Sequence, residues 1–359
     1  MGYTDGCFLC LPCKGGYFSF YGDFCDPETA GHIYILKGAN GLCSGYLLKT
    51  VCKRATALSI PVEKVYSRSR PGALEALALP QQRLYILDGS FPRAFEPKYP
   101  LAAETVVSTD DCFDREMLEK NKAALILIGK IMETERRRTM QYLAAVRSIN
   151  ADSSAILYPC VDRDKIRRYA LRFAAREFPA SEGRKKPRSI FLSGITAQGV
   201  TVHYDTLKKY PIVNVIDDRD GAAASVLIEN LKTEAEKRGL TAIVCRCQTD
   251  PENRAEHLLL PEAGTAFFTA NRYHPAPERI DRTIHVSRFL DTEKLAANRM
   301  RLNFNKKAVR SLIEEAVAAE ARVQDLQDMI DAYYEAALDT QRLEQTAAAL
   351  TQDIFARIG

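Results

Sequence analysis

Two kinds of hydrophobic pattern alternate along the chain. Short apolar runs stop at glycine-bearing loops, and each loop is followed by a segment in which apolar residues return every three or four positions. The first pattern is typical of buried strands and the second of amphipathic helices. The strand-like runs lie at residues 32–37, 84–88, 212–217 and 265–269, and the helical patterns after the loops at residues 47–55 and 227–235. This order of elements predicts α/β units with a parallel sheet.

The pattern of the first half of the chain is repeated in the second half. Residues 8–21 align with residues 191–204, with Phe, Leu, Gly and Tyr at equivalent positions, and residues 32–41 align with residues 212–221. Self-similarity in order, spacing and element type indicates an internal duplication. We therefore expect two domains of the same kind.

Each half closes with a long helical pattern whose start is marked by an acidic residue. Asp114 and Asp291 stand where N-cap residues are expected, each ahead of an acidic first turn. We expect these helices to pack on their own domain, with a coiled-coil dimer seam as the alternative. The predicted fold class is α/β, with two tandem P-loop-NTPase-like domains at residues 1–183 and 184–359. Each is a mostly parallel sheet flanked by helices, with long helical C-terminal segments.

The loop after the first strand keeps the glycines of a phosphate-binding loop but lacks its lysine. In the motif G-x-x-x-x-G-K-[ST], backbone N–H groups hold phosphate, the Lys reaches the outer phosphates and the hydroxyl holds magnesium. In the loop at residues 38–46, Gly38 and Gly41 remain, whereas Ser44 replaces the Lys and Gly45 replaces the hydroxyl residue. The lost charge-assisted contact, worth about 1.5–3 kcal/mol, predicts weak nucleotide binding and no phosphoryl transfer.

Two further residues belong to this first site. Asp88 ends its apolar strand, as does the Walker-B aspartate that completes the metal site of such proteins. Lys37 immediately precedes Gly38 and can swing toward an anion, although a lysine at a strand end is more often solvated. Both are candidate cofactor-binding residues.

The loop of the second half, at residues 218–226, departs further from the motif. Ala224 replaces the Lys and Thr269 replaces the metal-binding Asp, while Ser225 keeps its hydroxyl. Three aspartates crowd the loop, Asp217, Asp218 and Asp220. A carboxylate about 4 Å from a phosphate costs on the order of 4 kcal/mol at an effective dielectric constant near 20. We expect this loop to repel ATP.

Several motifs carry a resemblance to a known family over nearly the whole chain. They are Gly16-Tyr-Phe-Ser-Phe-Tyr21, Tyr34-Ile-Leu-Lys-Gly38, Leu87-Asp-Gly-Ser-Phe-Pro92, Glu96-Pro-Lys-Tyr-Pro100, Cys245-Arg-Cys247, Asp250-Pro251 and residues 257–261. In these motifs the chain resembles the tandem P-loop ATPases of Firmicutes, predicted ATP-binding proteins of uncharacterised function. The resemblance implies an ATP site in each half, with a loop that ends in Lys-Ser-Thr. The chain departs from that ending in both loops, so we expect a degenerate member.

Ten cysteines without a secretory signal indicate reduced thiols and a cytoplasmic protein. The spacing of Cys7, Cys10 and Cys13 can hold a metal ion or an iron–sulfur cluster. Ser193 aligns with Cys10 and Thr196 with Cys13, which favours small buried side chains and no metal site.

The histidines lack a metal-ligand spacing. We expect His257 and His274 to approach each other near the second loop, as structural side chains.

Composition and charge exclude several classes of protein. The 359 residues are 46% apolar and 27% charged, which is ordinary for a globular protein. Lys and Arg number 50 against 46 for Asp and Glu, and this net charge of +4 gives no reason to expect nucleic-acid binding. The basic runs at residues 136–138 and 184–186 are expected to be solvated. No apolar run approaches the roughly 20 residues that span a membrane.

The leading hypothesis is a pseudo-ATPase that does not hydrolyse nucleotide and acts as a scaffold or regulatory partner, with no catalytic and no metal-binding residues. The residues of its degenerate phosphate sites are Lys37, Gly38, Gly41, Ser44, Gly45, Asp88 and Ser225. The alternative is an ATP-binding protein or slow ATPase that uses Mg²⁺ and ATP at the first loop. The expected partners are a weakly bound nucleotide and either another protein or a second copy of the chain.

Overall fold

The computed structural model describes residues 4–38, 41–90, 95–181, 186–219, 221 and 223–358. Its strands are β1 Cys10–Cys13, β2 Gly16–Ser19, β3 His32–Lys37, β4 Glu63–Tyr66, β5 Leu74–Leu79, β6 Leu84–Asp88, β7 Glu104–Ser108, β8 Arg188–Ile190, β9 Ser193–Thr196, β10 Gly199–Val202, β11 Ile212–Asp217, β12 Ile243–Arg246, β13 Ala255–Leu260, β14 Thr265–Ala270 and β15 Arg282–His285. Its helices are α1 Tyr21–Phe24, α2 Leu42–Ala57, α3 Arg115–Lys120, α4 Lys122–Leu157, α5 Arg163–Glu177, α6 Ala224–Lys237, α7 Thr292–Ala297, α8 Arg299–Ala336 and α9 Thr340–Ala356.

Two compact units divide the chain, and each contains residues from both sequence halves. Unit 1 consists of Met1–Phe20 and Arg138–Ala318, and unit 2 consists of Tyr21–Arg137 and Ala319–Gly359. The expected boundary between residues 183 and 184 lies outside the described residues.

Unit 2 contains a five-stranded mixed sheet in the order β4-β5-β6-β3-β7. β3 is parallel to β6 and β7, whereas β5 is antiparallel to both of its neighbours. The loop between β4 and β5 is too short for a crossover helix, so these strands pair as an antiparallel hairpin. The expectation of a mostly parallel sheet is therefore corrected to a mixed one, because β5 was not recognised as a strand.

Unit 1 repeats this arrangement with one strand added at the edge. Its sheet has the order β15-β11-β14-β13-β12-β8, in which β13 is again antiparallel to both neighbours. Leu36 pairs with Asp88 in unit 2, and Ile216 pairs with Thr269 in unit 1. The two strand ends that align in sequence thus occupy equivalent positions in the two sheets.

The last helix of each sequence half packs in the unit that holds the other half's sheet. In unit 1, α5 packs against α6, with Ile166 and Leu231 in one core. In unit 2, α9 packs against α2, with Leu350 and Leu47 in one core. The bridge between Phe113 and Leu338 directs α9 to the sheet of the first half. The expectation that the C-terminal helices pack on their own domain was wrong for α9, because this non-local bridge leaves no trace in helical periodicity. The part of α8 up to Ala318 does lie in unit 1, with the sheet of the second half.

Both predicted N-caps are present. The Asp114 side chain accepts the N–H of Met117, and the Asp291 side chain accepts the N–H of Lys294. Among the helices that the structure describes, none combines the length and the apolar character needed to cross a membrane.

Candidate functional site

In unit 2, the loop after β3 is fixed by a close approach of the chain segment after β7. Gly38 has a positive φ of 114°, and a Cβ atom there would lie 2.5 Å from Thr109 Oγ1, so only glycine fits. The Thr109 N–H donates to the Lys37 carbonyl at 2.9 Å. The Lys37 ammonium lies 2.6 Å from Glu96 Oε1, so this lysine is paired rather than turned toward the loop.

In the first loop, two of the predicted residues, Gly41 and Ser44, lie next to the buried carboxylate of a third, Asp88. Ser44 Oγ donates to Asp88 Oδ1 at 3.3 Å, and the Ser90 N–H donates to the same oxygen at 3.0 Å. A Cβ atom at Gly41 would lie 2.7 Å from Asp88 Oδ2. Gly45 faces away from this group, since its nearest neighbour would be Ala73. Ser44, which was predicted to stand at the position of the motif lysine, therefore donates to the Asp88 carboxylate.

An arginine that the sequence reading missed lies beside this loop. A Cβ atom at Gly41 would lie 2.9 Å from an Arg70 guanidinium nitrogen. The same guanidinium donates twice to Asp331, at 2.8 and 2.6 Å. The cation beside Gly41 thus comes from the hairpin loop between β4 and β5, outside the phosphate motif.

In unit 1, the second loop is closed by its own carboxylate. Asp218 is fully buried, and it accepts the N–H groups of Gly221 at 2.9 Å, Ala223 at 3.0 Å and Ala224 at 2.8 Å. These N–H groups at the start of α6 are the donors that a phosphate loop offers to its anion. Of the three aspartates that were expected to crowd this loop, Asp218 therefore acts as a cap for the start of α6.

The other predicted residues of the second loop take no part in this cap. Asp217 turns to His285, at 3.2 Å, and Ser225 lies half-buried in the first turn of α6. Asp220 lies outside the described residues.

A cavity of about 220 Å³ opens beside this capped loop. The ends of β11, β13 and β14 and the β9 strand supply its polar wall, and α4 and α8 supply an apolar wall with Val146, Val309 and Ile313. Ligands of open α/β sheets bind at the carboxyl ends of the parallel strands, which is where this cavity lies. We regard it as the candidate functional site of unit 1.

Charged side chains of both signs line the cavity: Asp218, Arg219, Arg254, Glu256, Arg272 and Lys306. Arg254 precedes β13, and a Cβ atom at Gly221 would lie 2.9 Å from its guanidinium. Burial acts to lower the pKa of Arg254, but Cys247, Glu256, Asp218 and Asp250 together raise it. The Glu256 carboxylate lies 3.8 Å from His274 Nε2. Within the described part of the chain, the Arg254 guanidinium makes neither a hydrogen bond nor an ion pair.

The two histidines approach each other, as expected, with ring centroids 5.1 Å apart. The Thr269 N–H donates to His257 Nδ1 at 3.0 Å, so a neutral His257 carries its proton on Nε2. Burial holds the pKa of His257 well below its usual value, which keeps it neutral at pH 7. Asn271 Oδ1 accepts two backbone N–H groups, so its Nδ2 faces His274 Nδ1 and donates to it.

These hydrogen bonds decide what the histidines can do. One nitrogen of each ring and a Glu256 oxygen lie within 4.8 Å of one another. A metal-ligating histidine donates its second nitrogen to an acceptor, whereas both Nδ1 atoms here face N–H donors. With a proton on Nε2, His274 donates to Ser193 Oγ at 2.8 Å and cannot serve as its base. The group therefore fits neither a metal ion nor a serine nucleophile.

The thiols near the N-terminus are buried and do not converge. Cys7, Cys10 and Cys13 are all buried, and the Cys13 thiol donates to the Gln248 carbonyl at 3.1 Å. In the part of the chain that the structure describes, the Glu256 and histidine group is the one set of three side chains close enough for a metal. Burial raises the pKa of Cys13 to about 12, so it is a protonated thiol at neutral pH.

Unit 2 has a larger cavity, of about 700 Å³, over its loop. Lys37, Gly38 and Ser90 form one side, and Lys130 and Arg136 of α4 form the other. Arg137 and Arg138 are exposed, as expected, whereas Arg136 is buried, which corrects the expectation that the whole basic run is solvated. Arg136 lines the cavity together with Ile330 and Tyr334 of α8.

Comparison of the chain with protein-family models, with curated proteins and with solved structures finds no match.

Proposed function

We propose that the chain is a P-loop-like protein that does not hydrolyse nucleotide and acts as a scaffold or regulatory partner of another protein. The observation that carries this proposal is the Asp218 carboxylate, which takes the backbone donors at the start of α6. A phosphate at about 4 Å from that carboxylate would be repelled by on the order of 4 kcal/mol. The proposal includes a cytoplasmic location, where thiols stay reduced.

The first loop supports the same proposal. Ser44 and the Ser90 N–H both donate to Asp88, so the group that would organise magnesium is engaged within the protein. The Arg70 guanidinium beside Gly41 is held by Asp331. Neither loop has a lysine at the motif position, and that contact is worth about 1.5–3 kcal/mol.

Thermal unfolding with and without millimolar Mg-ATP tests this proposal. We expect the melting temperature of the wild-type protein to be unchanged, because a ligand that does not bind the folded state does not stabilise it. A stabilisation of several degrees that Asp88→Asn abolishes would contradict the scaffold proposal.

Restoring the motif tests the assignment of the loop itself. The double variant Ser44→Lys, Gly45→Ser should gain stabilisation by Mg-ATP, and the lysine-free control Ser44→Ala, Gly45→Ser should not. A well-folded double variant that gains nothing would argue against a phosphate-binding loop at residues 38–46.

The second candidate function is ATP binding or slow hydrolysis at the first loop. The cavity of unit 2 favours it, since its volume falls within the roughly 300–1,000 Å³ of small-molecule sites and Lys130 and Arg136 suit a phosphate, with Lys37 available if it leaves Glu96. If the wild-type protein is stabilised by Mg-ATP, the double variant Lys37→Ala, Lys130→Ala should lose that stabilisation. This pair of results would replace the scaffold proposal.

A further inference from the structure

We infer that the cavity of unit 1 binds a small zwitterion, an α-amino acid with an apolar side chain. Arg254 holds its carboxylate, Glu256 holds its ammonium group, and the wall formed by α4 and α8 holds its side chain. This inference does not depend on the loops' relation to ATP, and it supplies a ligand that a regulatory protein would sense.

The polar wall of the cavity has side chains of both charges. Arg254 and Glu256 face the same cavity, and the described residues include no ion pair between them. Glu256 has His274 Nε2 at 3.8 Å and attracts Arg254 at longer range, but the Arg254 guanidinium makes no hydrogen bond to the described residues. A charge that is partly removed from water and lacks hydrogen-bond partners is costly unless a ligand supplies them. The ammonium and carboxylate groups of an α-amino acid are separated by a single carbon, so one small molecule can meet both side chains.

The opposite wall of the cavity is apolar. Val146 of α4 and Val309 and Ile313 of α8 line the cavity with aliphatic groups. Binding sites place most of their apolar surface around a ligand and use few polar groups to orient it. The volume of about 220 Å³ lies below the usual range of roughly 300–1,000 Å³, so the ligand is smaller than a nucleotide.

A phosphate and a metal ion fit the polar wall less well than an amino acid does. A phosphate would meet the carboxylates of Glu256 and Asp218 with a larger negative charge than an amino acid carries and with no ammonium group to offset them. A metal ion does not suit His257 and His274, because both rings carry their proton on Nε2. A guanidinium donor next to a carboxylate acceptor matches a ligand with one charge of each sign.

Isothermal titration calorimetry of the full chain with L-leucine, L-isoleucine, L-methionine and L-phenylalanine tests the inference. We expect at least one of them to bind. For leucine, isocaproate lacks the ammonium group and isoamylamine lacks the carboxylate, and analogues of this kind should bind about tenfold more weakly or worse. Equal binding of the analogue without the ammonium group would overturn the inference in favour of a plain anion site.

Substitutions of Arg254 and Glu256 test whether the amino acid binds in this cavity. Arg254→Gln and Glu256→Gln should each weaken the amino acid's affinity by about tenfold or more, whereas the exposed controls Arg167→Gln and Glu252→Gln should leave it unchanged. Unchanged affinity in the first pair, or no binding by any of the four amino acids, would also overturn the inference. If the cavity variants fail to fold by circular dichroism, the wild-type comparison of analogues decides. Because no nucleotide is used, failure here is distinct from failure of the scaffold proposal.

Discussion

At the residue scale, a buried carboxylate occupies the place where a phosphate loop would bind its anion. Asp218 accepts three backbone N–H groups at the start of α6, where the positive end of the helix dipole also favours a negative charge. A phosphate would have to break these contacts before it could bind. Loss of the cap therefore adds to the cost of charge repulsion.

His203 gives unit 1 a specific pH dependence. Burial lowers its pKa to about 4, from about 6.5 in an unfolded chain. The unfolded state then binds the proton more readily, so the contribution of neutral His203 to stability is complete above about pH 6.5 and is lost as the pH falls toward 4. When the pH falls from 7 to 4.5, the free energy of unfolding should decrease by about 2 kcal/mol less in His203→Gln than in the wild type. Urea unfolding of both proteins at both pH values measures this difference.

The control for this prediction is Gln345→Ala, because Gln345 is exposed and does not titrate. It should follow the wild-type pH dependence. An acid loss in His203→Gln as large as that of the wild type would contradict the role given to His203.

At the element scale, the hairpin strands β5 and β13 make both sheets mixed. Their sequences, Leu74-Glu-Ala-Leu-Ala-Leu79 and Ala255-Glu-His-Leu-Leu-Leu260, lack strict alternation, so periodicity does not separate them from buried helix. In both sheets the strand lies between two neighbours and is largely buried. The strand in unit 1 also carries Glu256 and His257 into the candidate site.

The terminal helices should have separate effects on the two cores. Leu350→Ala in α9 removes buried volume next to α2 and should cost about 2–5 kcal/mol. Hydrogen exchange should then show lower amide protection in α2, while α6 keeps its protection. The mirror variant Ile166→Ala in α5 should lower protection in α6 and leave α2 unchanged. Equal loss in both helices after either substitution would contradict this account of the cores.

Local features of the fold could be predicted from sequence. Asp114 and Asp291 cap their helices because an N-cap depends on residues within one turn. Asp88 ends β6, and Thr269 is the last residue but one of the equivalent strand β14, because a strand followed by a polar loop is visible in the pattern.

Non-local features could not be predicted. Arg70 lies next to Gly41, in the hairpin loop between β4 and β5, and Arg254 lies next to Gly221, in the hairpin loop between β12 and β13. The hydrophobic pattern does not reveal either hairpin. Glu256 and His257 of the candidate site lie on β13, which the hydrophobic pattern does not predict. The tautomers of the histidines depend on Thr269 and Asn271, whose positions only the folded chain defines.

At the scale of the whole molecule, the ten cysteines form a set of protected thiols. All are buried except Cys52, which is half-buried. Burial raises the pKa of Cys13, Cys25, Cys43 and Cys247 to about 12 in each case. The reactive species is the thiolate, and at pH 7 a pKa of about 12 leaves a thiolate fraction on the order of 10⁻⁵.

Iodoacetamide should therefore alkylate Cys52 first under native conditions, with Cys13 and Cys247 modified only after denaturation, as read by peptide mass spectrometry. Rapid native alkylation of Cys13 would contradict this expectation. Growth with zinc or iron should give no stoichiometric metal, and a bound metal that Cys10→Ser removes would restore the metal-site alternative.

The position of α9 in the core of unit 2 also bears on how the chain emerges from the ribosome. Leu47, Leu48 and Val51 of α2 leave the ribosome about 290 residues before the helix that covers them, Thr340–Ala356. At about 5–20 residues per second, this apolar surface remains uncovered for on the order of tens of seconds. Nascent chains are thus exposed to aggregation during that interval, and a chaperone that shields α2 until α9 emerges would raise the yield of folded protein.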